Sequence, residues 1–233
     1  FGALAVVVVF QPHLSATILL AGITVAMLFV GGAKIQHLIG VGVTGLAGIA
    51  AMVFTMWSFF SDRFAHVLVR LTYWLDPFST SDAGAYQTKQ SLMAIGSGGL
   101  FGVGLGQGTP EKIPAYYNDF IFAVICEQLG QVFGVLLLAV YVLLILRGVT
   151  VVARARRSFE MLLGCGVLAM LGIQTFMIVA GVIKMIPLTG VTMPFLSYGG
   201  SSLLSCMAMI GILHGASARA QENLEEDILC VKG

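Results

Sequence analysis

The feature that most constrains this chain is a series of long apolar runs almost free of charge. Across residues 120–146 the only Asp, Glu, Lys or Arg is Glu127. A bilayer span asks for about 20 consecutive apolar residues, and comparable runs cover residues 14–32, 38–60, 161–183 and 201–216, with about half a span at 1–10. Hydrophobic residues make up 58% of the 233 and charged residues only 10%, where a soluble chain carries about 25% charged. These runs predict an all-α integral membrane protein, a polytopic helical bundle of about six spans with the first partial, forming a single membrane domain over 1–233. The chain opens at Phe1 inside an apolar run and shows no signal peptide, so it reads as a fragment lacking its N-terminal spans.

Charge limits the partners. A net charge of +1 gives no field for nucleic acid, and membrane lipids are the expected surroundings. The four cysteines are scattered without metal-ligand spacing and read as small buried hydrophobes. Arg147, Arg154, Arg156 and Arg157 form a short basic loop, and such loops stay in the cytoplasm. That choice predicts a cytoplasmic tail at 217–233 and puts the stretches 61–118 and 184–200 on the extracytoplasmic side. Connections longer than about 12–15 residues are usually functional or disordered. The 61–118 loop holds Tyr73, Trp74, Phe78, Tyr86, Tyr116 and Tyr117, which is not a disordered composition. Its apolar segment at 92–105 is expected to fold back onto the outer membrane face, roofing an outward site.

Several residues in and around that roof could carry chemistry. Asp119 opens the fourth apolar run, where a carboxylate either caps a helix N-terminus or serves as a general base at the water–lipid boundary. Glu127 lies eight residues on, which in one continuous helix is about 12 Å deeper. An ionisable group there is costly and a functional candidate, although it could equally pair with a basic residue on another helix. The glycine cluster from Gly98 to Gly108, which includes Gly104 and Gly106, precedes Lys112. It reads either as a flexible connector or as backbone that lets a phosphate approach. Lys184 and the 184–200 loop, with Ser197 and Tyr198, are either a tight return or the irregular lining of the same cavity. Gln11-Pro12-His13 is a helix break on the same outer side, since Pro12 lacks the amide proton a helix needs.

The quoted segments resemble one family. Residues 86–100 are similar to the segment YQ…QSLxAIGSGGL of the SEDS (shape, elongation, division, sporulation) proteins of the FtsW, RodA and SpoVE type. Residues 112–130 resemble that family's K…LPExHTDFIFAVIxEExG, residues 190–202 its GxTLPFxSYGGSS, and residues 11–15 its QPDLG turn in outline. The resemblance implies a ten-span fold of which this chain holds the later spans. It implies an inverting peptidoglycan glycosyltransferase of the bacterial cytoplasmic membrane that polymerises lipid II beside a class B penicillin-binding protein. The family's essential aspartate falls on Asp119. Cations would then stabilise the pyrophosphate leaving group: Lys112 first, with Lys89, Arg63 and Arg70 in reserve, or a divalent cation such as Mg²⁺ or Mn²⁺. Some family positions differ here: Ala115 replaces a Glu, Tyr117-Asn118 replaces His-Thr, Gln128 replaces a Glu and His13 replaces an Asp. Division, elongation and sporulation all stay open as roles. Two competing readings are a flippase for the lipid-linked precursor, which would need a polar path through the spans, and a non-catalytic scaffold for the transpeptidase.

Overall fold

The computed structural model describes residues 14–37, 39, 40, 42, 43, 72, 74–78, 83–155 and 157–232. The expected half-span at 1–10, most of the run at 38–60, and Gln11, His13, Arg63 and Arg70 lie outside the described residues. Within them every regular element is helical. The helices are α1 (Leu14–Val30), α2 (Ala83–Gly98), α3 (Ile121–Leu129), α4 (Gln131–Ala153), α5 (Ser158–Val182) and α6 (Gly200–Lys232), with a single 3₁₀ turn at Pro110–Lys112. Three are long and apolar enough to cross a bilayer: α4, α5 and the Gly200–Arg219 part of α6; α1 is a shorter apolar helix. The protein is thus a polytopic helical membrane protein.

Helix ends fall where the backbone runs out of partners. At the end of α1, Gly32 takes a positive φ of 83° while its amide bonds Phe29 O and that of Ala33 bonds Leu28 O. This left-handed cap satisfies the last carbonyls, and glycine adopts it without a Cβ clash. The end of α5 uses the same bonding, Lys184 N to Gly181 O and Met185 N to Ala180 O, but with Lys184 at φ 65°. A lysine in that conformation is strained by about 1–2 kcal/mol. Its side chain and carbonyl both have partners there, described below.

The spans pack through small residues. A Cβ at Gly148 on α4 would fall 2.2 Å from Leu168 Cδ2 on α5, so the glycine leaves room for that leucine, as small residues commonly do between membrane helices. Around the contact lies an inner core of Val152, Val167, Leu168, Leu171, Cys206, Met209 and Leu213 from α4, α5 and α6. At the same end, the largely buried Glu160 of α5 accepts a 2.9 Å ion pair from Arg219 of α6. Val135, Leu136, Val140, Leu143 and Leu146 of α4 are exposed, which is the surface a lipid-facing span presents. A second core lies toward the other end, with Ile113, Phe120, Phe122, Cys126, Tyr141, Ile178 and Met193 among its members.

One expectation is corrected. The run at 120–146 is not one helix, because the chain breaks at Gly130, whose φ is 89° and ψ 165°. Phe122 Cζ and Cys126 Sγ would lie 3.5 and 2.7 Å from a Cβ at Gly134, whereas one straight helix would separate Phe122 and Gly134 by about 18 Å. Helix α3 therefore folds back along the first turns of α4. The apolar segment at 92–105 also divides: its first part is the end of α2, and the remainder is loop bonded onto the α3–α4 junction. The polar tail continues α6 without a break through Lys232.

Candidate active site

The α3–α4 reversal decides what surrounds the two carboxylates. The glycine loop wraps the junction and bonds to it by backbone. Val103 N donates to Glu127 O and Gly104 N to Gln128 O, each at 3.0 Å, while Gln131 N and Val132 N donate to Gly99 O and Leu100 O at 3.0 and 3.2 Å. The approach is so close that a Cβ at Gly98 would sit 2.2 Å from Cys126 O, and one at Gly130 2.3 Å from Leu100 O. At Gly98 and Gly102 the cluster is a backbone clamp on the junction, whereas a Cβ at Gly106 would meet nothing within 4 Å. Within it Gly104 is part-buried and Gly106 exposed, both at positive φ.

Glu127 belongs to this clamp. It is 5% exposed, and its Oε1 accepts the Thr109 amide at 3.1 Å. Since α3 runs back from the Gly130 bend, Glu127 sits near the bend and Asp119 at the far end of α3. The offset of about 12 Å expected of one continuous helix therefore does not apply across the Gly130 break.

Asp119 stands where two irregular segments meet. The first is 113–120, folded tightly by bonds from Tyr116 N to Ile113 O and from Asn118 N to Ala115 O, with Ile113 and Phe120 buried in one core cluster. The second is the 184–200 loop, which does not simply return over the helix ends. Leu188 packs on Gly181, with its Cδ1 3.5 Å from a Cβ placed there. Thr192 O then accepts Gln174 Nε2 at 2.8 Å, seven residues or about 10 Å further down α5. Tyr141 of α4 donates its hydroxyl to Pro194 O. This loop is re-entrant, tolerated at that depth because protein surrounds it and satisfies its polar backbone.

The two segments are tied together. Ser197 Oγ donates to Asn118 O and accepts from Met193 N, each at 2.7 Å. Tyr198 N donates to Tyr117 O at 2.8 Å, and the two rings meet edge-on at 5.7 Å. On the descending limb Gly190, φ 68°, faces the carboxylate: a Cβ there would lie 3.7 Å from Asp119 Oδ2. The structure thus brings Asp119, Ser197 and Tyr198 together. Ser197 is buried in the joint, whereas Tyr198 is exposed and half-buried Asp119 is reachable from outside it.

The lysines are placed differently. Lys112 is exposed in the 3₁₀ turn after the glycine loop. Lys89 on α2 lies with Nζ 5.4 Å from the Phe78 ring centroid. Lys184 donates from Nζ to Leu75 O at 3.3 Å, and its own carbonyl accepts Trp74 Nε1 at 3.2 Å. These bonds tie the 72–78 segment to the end of α5 and account for a lysine in a glycine-like conformation. Among the described residues no group of three or more His, Cys, Asp or Glu could hold a metal ion. Sequence reasoning passed over Tyr141 and Gln174. Gln174 carried a signal, as a polar side chain in the middle of an apolar run.

A bundle of membrane-spanning helices holding a re-entrant loop against a carboxylate-bearing segment is the class of protein defined here. Residues 1–222 match the FtsW/RodA/SpoVE family, described as cell cycle proteins, and the chain belongs to that family. It is similar to the peptidoglycan glycosyltransferase RodA of Mycobacterium leprae, at 39% identity over 94% of this chain and 45% of that one. Stage V sporulation protein E of Bacillus subtilis is 35% identical over 91% of this chain and 56% of its own length. A probable peptidoglycan glycosyltransferase FtsW of Geobacter sp. (strain M18) is 34% identical over 94% and 58%. The chain spans about half the length of the curated relatives it matches. A solved structure described as "Structural coordination of polymerization and crosslinking by a peptidoglycan synthase complex" matches 93% of this chain and 59% of its own, with a TM-score of 0.69 and 26% identity.

Proposed function

We propose that the protein polymerises lipid II into glycan strands at the extracytoplasmic face of the bacterial cytoplasmic membrane, with Asp119 as the general base. The observation that carries this reading is the placement of a reachable carboxylate on a rigid joint between two outer segments, facing Gly190. A base must be held in a fixed geometry to remove a proton as the new bond forms. Asp119 accepts the proton of the acceptor N-acetylglucosamine 4-hydroxyl as that oxygen attacks the donor's anomeric carbon. The anomeric bond to undecaprenyl pyrophosphate breaks, its electrons leave with the pyrophosphate, and the linkage inverts.

The leaving group concentrates negative charge, which cations must stabilise in the transition state. Lys112, exposed and seven residues from Asp119, is the first such group, with Lys89 as a second. A bound Mg²⁺ or Mn²⁺ would serve the same end. The substrate's lipid chain stays in hydrocarbon while its sugars reach Asp119. The expected partner is a class B penicillin-binding protein, since the similar solved structure comes from a peptidoglycan synthase complex.

The test is polymerisation of purified lipid II by the protein reconstituted with a transpeptidase that has no polymerase activity of its own. Glycan polymer is the expected product. Its absence from a folded complex, together with lipid II crossing the bilayer of the same vesicles, would put the flippase reading in its place. Absence of both activities would favour the scaffold.

A further inference from the structure

Glu127 is unlike every other carboxylate among the described residues. It is 5% exposed, one oxygen accepts a backbone amide, and the other, Oε2, is buried without a hydrogen-bond partner. A buried carboxylate oxygen left unpaired is costly, so the residue must do something a neutral apolar side chain would not. Its surroundings say what. The carbonyl of Glu127 holds the incoming limb of the glycine loop at Val103 N, and its carboxylate holds the outgoing limb at Thr109 N. The orphaned Oε2 occupies the space that the missing side chain of Gly108 leaves open, because a Cβ there would come within 2.8 Å of it.

We propose that Glu127 is a positioning residue: it fixes the exit of the glycine loop and, through the Pro110–Lys112 turn, the place of the Lys112 ammonium relative to Asp119. Only Pro110 and Glu111 separate Thr109 from Lys112. Lys112 and Asp119 are the chain neighbours of Ile113 and Phe120, which are buried in one cluster. The loop exit is thus held by Glu127 and the ends of the 113–120 segment by that core, so the backbone that carries Lys112 is fixed on both sides. The catalytic part of this inference rests on the proposed polymerase activity, whereas the clamp itself does not.

The experiment pairs amide hydrogen exchange with lipid II polymerisation kinetics for the reconstituted protein. Glu127→Gln keeps an acceptor for Thr109; Glu127→Ala removes it; Gly108→Ala pushes the carboxylate aside. The expected result is loss of protection at residues 106–112 in Glu127→Ala and Gly108→Ala, with protection at 193–200 unchanged. Both variants should lose about 10-fold or more in kcat/KM, as a misplaced charged group does. Glu127→Gln should recover most of the protection and the rate. Unchanged protection in Glu127→Ala would overturn the clamp. Lost protection with an undiminished rate would overturn its catalytic consequence, and so would a Glu127→Gln variant as slow as Glu127→Ala. A wild type without polymerase activity would overturn the functional reading alone, since the exchange result stands by itself.

Discussion

Asp119 and Glu127 are eight residues apart and look interchangeable as carboxylates in one apolar run. Their surroundings separate them: one is half-buried on the joint between two irregular segments, and the other is sealed against a glycine loop. Candidate residues were legible in the sequence because an acid in an apolar run stands out. Their roles depended on the chain reversal at Gly130, which hydropathy does not register because both limbs are apolar. The available sign was a glycine behind Glu127-Gln128-Leu129, a combination suited to a helix end. Ser197 carries the joint itself. Its hydroxyl is shared between Asn118 O and Met193 N, so Ser197→Ala leaves two polar groups short of a partner, at about 1 kcal/mol each. The expected loss of about 2 kcal/mol would appear as a lowered unfolding midpoint in detergent. An unchanged midpoint would mean that the two segments hold together without it.

At the scale of elements, the later spans were readable and the irregular parts were not. Helices α4, α5 and α6 follow from long apolar runs; α5 ends close to its run, whereas α4 starts only after Gly130 and α6 runs on through the polar tail. In sequence the 184–200 loop reads equally as a tight return or as the lining of a cavity, because nothing local tells a loop above the membrane from one dipping between helices. Only its partners, Gln174 and Tyr141, reveal the descent. The glycine cluster was equally ambiguous, since flexibility, phosphate access and close backbone packing all call for glycine. Packing is the answer at Gly98, and Gly98→Ala should therefore cost about 2 kcal/mol or more, as overpacking a rigid contact does. The strain should appear as faster amide exchange at residues 102–104 and 130–132. If Gly98→Ala unfolds and exchanges like wild type, the junction is looser than the structure describes.

For the whole molecule, extracytoplasmic polymerisation requires that the Asp119 joint and the basic loop at 147–157 lie on opposite sides of the membrane. The structure places the joint and the Glu160–Arg219 pair at opposite ends of α5, and short basic loops remain cytoplasmic. In a variant with the native cysteines replaced by alanine, a membrane-impermeant maleimide applied to intact cells should label Tyr198→Cys. It should spare Arg154→Cys until the membrane is opened. The reverse pattern would invert the topology and remove the site from the compartment where glycan strands are built.

The most direct measurement of the central claim is lipid II polymerisation by Asp119→Asn beside wild type, with unfolding midpoint and complex formation checked for both. The substitution keeps shape and removes a base, so the account predicts polymer from wild type and a loss of at least about 100-fold in the variant at an unchanged midpoint. Equal polymer from both would contradict it, and the base would then have to be sought elsewhere.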